Sequence, residues 1–413
     1  MHYSLTRATV WNISGYLYLI IASLISVPIL VKGLGVAIFS QYSLILATLS
    51  LVSSFNLGLP QAVVRALSHH HLDFPKRQTI WATSSLLFIL TGLIGAVIAT
   101  VAAYYLHVTY AVLPIVFGLG IMHNLVAHYL TLPHAEGHFG YFNVKTFIVG
   151  TANTLVAAYL TWVGRGIQEI LLTQLVCYLL SLLILVYFSL KYFPQPWLGR
   201  PTRQSAKSLL TFGLKSQAGS IIGQAQSQYG KYLLSALTPL SLSAYIVAQG
   251  LVQKLVGGVV QVATAIYPAA SRASLTPSIS RTYMRAQLFL LFIGSLAILL
   301  YGYLGLPFLT WWLGDPTLIQ PVHTFLMVYR YYGLLLLLTP LASSVLDGLG
   351  YPGTTTLFGG LAFVIELFSA VVLYPRFGLL APAYAGIISL GIMVPILLLF
   401  TQKTLSRGGI SAR

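Results

Sequence analysis

Charged residues are scarce in this sequence, and acidic residues are the scarcest of them. Only 7% of the 413 residues are charged, with six Asp and Glu against 22 Lys and Arg, whereas about a quarter of a typical soluble domain is charged. The one cysteine, Cys177, excludes an intramolecular disulfide and leaves no basis for a cysteine-based metal site. An ordinary soluble domain, a disordered chain and a secreted disulfide scaffold are therefore excluded.

Long apolar runs fill the sequence instead. Apolar residues make up 57% of the chain, and the mean hydropathy is +0.85. A helix needs about 20 mainly apolar residues to cross a bilayer, and breaks between such runs fall at Gly, Pro and charge clusters. The sequence therefore predicts an all-α polytopic membrane protein of about twelve helices, at residues 9–31, 41–64, 79–104, 109–132, 144–163, 168–190, 208–233, 241–267, 284–304, 318–345, 354–374 and 379–402.

The basic residues predict how these helices are oriented, because Lys and Arg keep short loops on the cytoplasmic side. With the N-terminus inside, fifteen of the 22 basic residues lie in cytoplasmic segments, and only Lys32, Arg165 and Arg376 lie in outer loops. Since the basic residues sit between apolar runs, nucleic acid is not an expected partner. We expect both termini in the cytoplasm and a first helix that is retained, because no small-residue cleavage site follows it.

The midpoint of the sequence divides it into two predicted six-helix lobes. Residues 191–207 are rich in Pro and basic residues and are predicted to form a cytoplasmic linker between an N-terminal lobe, 1–190, and a C-terminal lobe, 208–413. A short echo between residues 39–42 and 242–245 supports an internal repeat. No Walker-type motif occurs and no loop is long enough for an ATPase or glycosyltransferase domain. Any energy source must then be an ion gradient or the substrate's own gradient.

Segments at both lobe starts carry a resemblance to a known family. They are Asn12, residues 34–43, residues 55–65, residues 209–214, Ala244–Tyr245 and Tyr267–Pro268. The pattern resembles the Wzx-type O-antigen flippases, in the polysaccharide-transporter branch of the multidrug/oligosaccharidyl-lipid/polysaccharide exporter superfamily. The resemblance implies two lobes around a central cavity of alternating access, which move an undecaprenyl-pyrophosphate-linked glycan from the inner to the outer leaflet. It also implies a bacterial cytoplasmic (inner) membrane location, contact with membrane lipid, a polysaccharide polymerase as candidate partner, and a monomer.

Three ionisable residues are predicted near the middle of their spans: Lys254, Arg330 and Glu366. Each costs about 2.5–3.5 kcal/mol at the bilayer centre, so each is expected to face protein or water. The seventh helix adds a polar face, because spacings of three and four residues keep one side of a helix aligned. That face comprises Gln217, Ser220, Gln224, Gln228 and Lys231. His323 and Arg330, seven residues apart, are predicted to share a side of the tenth helix.

These patterns predict a wet, cationic cavity in which Arg and Lys hold a pyrophosphate. Glu366, the one deep carboxylate, is the candidate for proton or sodium coupling. The predicted substrate-binding residues are Arg65, Gln224, Gln228, Lys231, Gln253, Lys254, His323 and Arg330.

Structural roles compete with this hypothesis. Arg65, Lys215 and Lys231 could extend to lipid headgroups, Arg330 and Glu366 could form a structural ion pair, and some glutamines could join helices through hydrogen bonds. The run His69–His71 is predicted to be a solvated loop, and His123 and His128 are spaced to diverge on a helix. We therefore predict no metal site, no cofactor, no catalytic residue and no enzymatic activity.

Two other functions stay open at this point. A drug/cation antiporter of the same superfamily would need several buried acids, but only Glu366 is central. A membrane-embedded glycan ligase or polymerase would need a large outer loop carrying catalytic groups, and none is predicted.

Overall fold

The computed structural model describes residues 5–54, 56–70, 73–136, 138–193, 199–272 and 277–406. Throughout these ranges the regular structure is helical, with no strand. We number the α-helices α1 Leu5–Ser54, α2 Leu59–His69, α3 Phe74–Tyr105, α4 Leu113–Ala135, α5 Phe139–Thr151, α6 Ala157–Trp162, α7 Ile167–Tyr192, α8 Arg203–Ser235, α9 Pro239–Arg272, α10 Pro277–Leu313, α11 Pro316–Leu337, α12 Thr339–Gly348, α13 Pro352–Phe377 and α14 Ala381–Ser406.

The helices confirm the predicted all-α membrane architecture of about twelve spans. Among the described residues, eight stretches are long and apolar enough to cross a membrane. Two of these, Gly15–His69 and Pro352–Ser406, hold 55 residues each, which suffices for two crossings at about 20 residues per crossing. The predicted spans 144–163 and 208–233 lie outside the eight stretches but inside helical segments, the latter in the long, polar α8.

Glycine and proline mark where the chain departs from straight helices. Gly35 interrupts α1 at φ 74°, ψ 160°, a conformation that glycine adopts without steric cost. The second span was predicted as one continuous helix over 41–64, and this is wrong. The helix is interrupted before α2, where Leu57 and Gly58 have positive φ. The predicted tenth span, 318–345, is likewise divided into α11 and α12, and Pro340 at this division has no backbone N–H to donate.

The break before α2 lets two backbones approach closely. A Cβ at Gly58 would lie 2.1 Å from the carbonyl oxygen of Gly213, and one at Gly213 would lie 2.3 Å from that of Leu57. Only glycine fits at either position. Two of the segments that carry the family resemblance, 55–65 and 209–214, therefore meet at this contact.

The chain forms two compact units, Met1–Gln228 (unit 1) and Tyr229–Arg413 (unit 2). Part of the predicted linker, 194–198, lies outside the described residues, so the division at 191–207 stays a prediction. Unit 1 has an apolar core around Trp81, Phe88 and Phe188, whereas unit 2 has one around Tyr283 and Leu341.

An ion pair between a buried arginine and a more exposed glutamate joins two helices of unit 1. Arg77, in the first turn of α3, donates to Glu136, which directly follows α4, and the Arg77 side chain is 10% exposed. The guanidinium also lies 5.2 Å from the ring centroid of Phe193, just beyond α7. The sequence predicted Arg77 only as one of the basic residues of the cytoplasmic segments. In the structure it contacts the ends of three helices, α3, α4 and α7.

We expect Glu136→Ala to destabilise the protein by about 2–3 kcal/mol, because it leaves the buried Arg77 without this carboxylate. Thermal unfolding of the detergent-solubilised protein measures the effect. The matched control is Lys76→Gln, which removes the exposed pair with Asp73 and should leave the melting temperature unchanged. Equal melting temperatures for the two variants would contradict a stabilising role for the pair between Arg77 and Glu136.

Candidate functional site

Part of the predicted polar face of α8 packs against α1 within unit 1. The Gln217 amide nitrogen donates to the Ser54 carbonyl oxygen over 3.1 Å, and the Gln217 side chain is buried. Gln224 accepts a hydrogen bond from the Ser50 hydroxyl at 3.3 Å. These two glutamines therefore link helices, which is the structural role that the sequence left open for them.

Other residues of that face are placed differently. Ser220 is exposed. Gln228 is buried and its amide nitrogen contacts the Ser227 hydroxyl at 3.2 Å, while its amide oxygen has no hydrogen-bond partner among the described residues. The side chain of Lys215 lies outside the described part of the chain. A buried amide oxygen without a hydrogen bond costs free energy. The Gln228 amide oxygen is therefore an acceptor that would be stabilised by a donor.

Unit 2 surrounds its deep carboxylate with tyrosines. Glu366, on α13, is 3% exposed, and its Oε1 accepts a hydrogen bond of 2.9 Å from the Tyr229 hydroxyl on α8. Tyr245 of α9 and Tyr332 of α11 lie close enough to interact electrostatically with Glu366. Tyr332 stacks on Tyr329, with 4.7 Å between ring centroids. We call Tyr229, Tyr245, Tyr329 and Tyr332 the tyrosine cluster.

The tyrosine cluster depends on one close helix approach. A Cβ at Gly230 of α8 would lie 2.3 Å from the Tyr245 hydroxyl oxygen, so any larger residue would displace that ring. Tyr245 is 2% exposed, and its hydroxyl shares a hydrogen bond with the Gln249 side chain. The rings of Tyr245 and Phe325 meet edge to face at 5.3 Å. The cluster is thus a packed network rather than a loose lining.

Arg330 and His323 both contact α10 and therefore lie on one side of α11, as their spacing predicts. Arg330 donates to the Ile298 carbonyl oxygen at 3.1 Å and to the Tyr331 hydroxyl at 3.3 Å. His323 stacks on Tyr301 with 6.0 Å between centroids. Among the described residues Arg330 does not pair with Glu366, and its Nε is buried with no hydrogen-bond partner.

The remaining predicted residues are partly accessible. Lys231 and Lys254 are half-buried, and the Lys254 ammonium donates to the Gly250 carbonyl oxygen at 3.3 Å. Gln253, beside it, is exposed. In unit 1, Arg65 is exposed and its guanidinium carbon lies 4.3 Å from the Phe212 ring centroid. The roles of all these residues in substrate binding stay predictions.

The membrane histidines have structural surroundings. His128 contacts the Ser85 hydroxyl at 2.9 Å and packs against Trp81. His123 contacts the Tyr178 hydroxyl at 2.7 Å. His71, the last of the three consecutive histidines, lies outside the described residues. Among the residues that are described, no group of three His, Cys, Asp or Glu side chains is placed to hold a metal ion.

Solved transporters share this fold along nearly the whole chain. A multidrug-resistance MATE family transporter of the MOP superfamily superposes with a TM-score of 0.73 at 12% identity, over 98% of this chain and 96% of that one. The MATE transporter VcmN of Vibrio cholerae gives 0.66 at 13% identity, with 98% and 96% covered. A MOP superfamily transporter from Pyrococcus furiosus gives 0.62 at 14% identity, again with 98% and 96% covered. At these identities the likeness shows the fold alone, a multi-pass helical membrane fold.

Sequence comparison adds the family. The profile of the polysaccharide biosynthesis protein family matches residues 5–274, well over half of the chain. A Shigella flexneri protein named as an O-antigen transporter is 28% identical over 93 residues, which is 22% of the length of each chain. The chain belongs to the polysaccharide biosynthesis protein family, and the predicted resemblance to Wzx-type polysaccharide flippases is confirmed.

The tyrosine cluster is the feature that the sequence prediction missed. Tyr329 and Tyr332 are three residues apart on α11 and share its buried face, a spacing that was available in the sequence. Tyrosine counts as apolar in a hydropathy scan, so its hydroxyls carry no signal there. The cluster matters because its four tyrosines come from three helices and Tyr229 donates directly to the Glu366 carboxylate.

We expect Gly230→Ala to destabilise the protein by about 1–3 kcal/mol, because the added methyl group overpacks the contact with Tyr245. The matched control on the same helix is Gly223→Ala, whose added Cβ has no neighbour within 4 Å. Since alanine favours helix over glycine, this control should be neutral or stabilising by up to about 1 kcal/mol. Thermal unfolding compares the two variants, and a control as unstable as Gly230→Ala would refute the steric explanation.

Proposed function

We propose that this protein is a flippase for a glycan linked to undecaprenyl pyrophosphate, which it moves from the inner to the outer leaflet by alternating access. Family membership and the transporter fold support the general class. The lipid-linked substrate and the cationic site are our proposal. The protein would lie in a bacterial inner membrane with both termini in the cytoplasm, as the distribution of basic residues predicts.

The observation that carries this proposal is the environment of Arg330. It lies within a membrane-spanning helix, yet its partners are all neutral: the Ile298 carbonyl oxygen and Tyr331, through both its hydroxyl and its ring, whose centroid lies 5.1 Å from the guanidinium carbon. Its Nε is buried without a hydrogen-bond partner among the described residues. Neutral acceptors satisfy the N–H groups but leave the positive charge uncompensated. An arginine in this state is suited to a phosphate, to which it offers two parallel donors. Lys231 and Lys254 add positive charge in the same unit.

A cation exporter fits these residues less well. Binding a cation at depth calls for several carboxylates, and within the described membrane-spanning helices the central acid is Glu366, already hydrogen-bonded by Tyr229. We propose that Glu366 instead couples transport to a proton or sodium gradient. A buried carboxylate that accepts a hydrogen bond from a tyrosine hydroxyl can take up a proton or a small cation.

We expect Arg330→Gln and Lys254→Gln each to reduce flipping at least about tenfold, because each removes a charge-assisted contact to the pyrophosphate. Flipping is measured in proteoliposomes as the appearance of a lipid-linked glycan in the outer leaflet. The control is Arg376→Gln, which removes an exposed arginine of unit 2 and should transport normally. Normal transport by Arg330→Gln at normal protein levels would contradict the cationic site.

Lipid extracts separate this proposal from a ligase or polymerase. Cells that lack the protein should accumulate complete, unpolymerised lipid-linked repeat units on the inner leaflet. Accumulation on the outer leaflet would instead favour an enzyme that acts after translocation.

We expect Glu366→Gln to abolish the dependence of transport on an ion gradient, because the amide cannot lose or gain a proton. Tyr229→Phe removes the hydrogen bond to Glu366 while keeping the carboxyl, so it should shift the pH dependence of transport without abolishing it. Transport rates across imposed proton and sodium gradients measure both effects. An unchanged gradient dependence in Glu366→Gln would dismiss the coupling role.

A further inference from the structure

A basic segment, residues 199–207, leads from the predicted linker into the first turns of α8, within unit 1. Its start packs against α3, because a Cβ at Gly199 would lie 2.0 Å from the Gln78 carbonyl oxygen, so only glycine fits there. The Thr202 backbone N–H donates to the Thr83 hydroxyl oxygen of α3 at 3.2 Å. The Thr202 hydroxyl oxygen also accepts from a backbone N–H in the first turn of α8, and so caps that helix. The basic segment is therefore fixed to the fold of unit 1.

Three exposed cations are spaced along the basic segment: Arg200, Arg203 and Lys207. They stand in the longest acid-free stretch of the sequence, since no Asp or Glu occurs between Glu169 and Asp315. Among the described residues, none of the three forms an ion pair. Their positive charge is therefore available to an anion outside the chain.

The carboxylates at the neighbouring helix ends are already engaged. Asp73 directly precedes α3, whose first turns contact the basic segment, and it pairs with Lys76. Glu136 directly follows α4 and pairs with Arg77. Neither acid is thus left over to neutralise the basic segment from within unit 1.

The position of these cations along α8 favours a lipid headgroup over a soluble partner. Arg203, Lys207, Thr211 and Leu214 follow spacings of four, four and three residues, so they share one face of the helix, and all four are exposed. At 1.5 Å per residue, Lys207 and Arg203 lie about 10 and 16 Å from Leu214 along the helix axis. The exposed face therefore changes from apolar to basic toward the end of the helix. This change is expected where a helix leaves a bilayer and its cations reach the headgroups.

We propose that the basic segment binds the headgroups of anionic phospholipids, and that its packing on α3 holds the three cations in position for them. Phosphodiester oxygens accept charge-assisted hydrogen bonds from guanidinium and ammonium groups, and basic residues near a membrane surface attract anionic lipid. The ligand is a lipid of the surrounding bilayer, so this inference does not rest on the proposed flippase function. Because α8 carries the chain from unit 1 into unit 2, lipid bound here would stabilise the start of that helix.

Lipid retention by the full-length protein in neutral-detergent micelles tests this proposal, with native mass spectrometry as the measurement. The probes are dioleoylphosphatidylglycerol, which is anionic, and dioleoylphosphatidylcholine, which is zwitterionic. We expect the wild type to bind phosphatidylglycerol more tightly than phosphatidylcholine. The triple variant Arg200→Gln, Arg203→Gln and Lys207→Gln should weaken phosphatidylglycerol binding at least about tenfold, because each basic residue near the surface is worth about fivefold.

The matched control removes three exposed basic residues that are predicted to lie in the outer loops. It is the triple variant Lys32→Gln, Arg165→Gln and Arg376→Gln, which has the same net charge as the first one. This control should bind phosphatidylglycerol as the wild type does. Equal losses in the two triple variants, or equal binding of the two lipids by the wild type, would overturn the proposal.

Two further measurements test the geometry and the kind of partner. Gly199→Ala keeps every charge but forces the segment away from α3, so it should weaken phosphatidylglycerol binding, and wild-type binding by this variant would refute the role of the packing. Soluble polyglutamate is the competitor that represents an acidic protein. Failure of polyglutamate to displace phosphatidylglycerol at equal charge concentration supports the lipid, whereas displacement would overturn it in favour of an acidic protein partner.

Discussion

The constraint that shapes this protein is the cost of placing polar groups where water is scarce. Every such group inside a membrane must find a partner in the chain, in trapped water or in a ligand. Gln217 meets this need with a carbonyl oxygen of α1, and Glu366 meets it with the Tyr229 hydroxyl. Arg330 meets it only in part, since a carbonyl and a phenol leave its charge uncompensated. Gln217 and Glu366 thus differ from Arg330, whose positive charge has no carboxylate beside it among the described residues.

Close backbone approach, rather than chemistry, explains part of the family resemblance. Gly58 and Gly213 lie in two of the segments that carry it, and each is required because the backbone of the other segment occupies the space of a Cβ. The same contact lies beside the break that precedes α2, and Gln61 and Arg65 of α2 line a cavity against α4. A packing requirement and the lining of a cavity therefore share one short segment. Conserving the contact between the two glycines would preserve the placement of Arg65.

The helices could be predicted from the sequence because apolar length is a local property. Their interruptions were missed, since hydropathy continues unchanged through Leu57 and Leu338 while the backbone does not. For the candidate site, periodicity correctly put His323 and Arg330 on one side of a helix, facing α10. Periodicity gives the face of a helix but not the neighbour that it meets. The spacing of Gln217 and Gln224 therefore predicted that they face a cavity, whereas the structure shows that they join α8 to α1.

Hydroxyl groups make the surroundings of Glu366 tolerant of a change in charge. A phenol donates a hydrogen bond to an ionised carboxylate, as Tyr229 does here, but its O–H can also rotate so that the phenol oxygen accepts a hydrogen bond from a neutral carboxyl group. An arginine or lysine partner would not have this freedom, because it would fix the carboxylate in its ionised form. Since Arg330 contacts α10 instead, Glu366 can change protonation without breaking an ion pair with it. A tyrosine environment is therefore better suited to reversible coupling than the ion pair that the sequence also allowed.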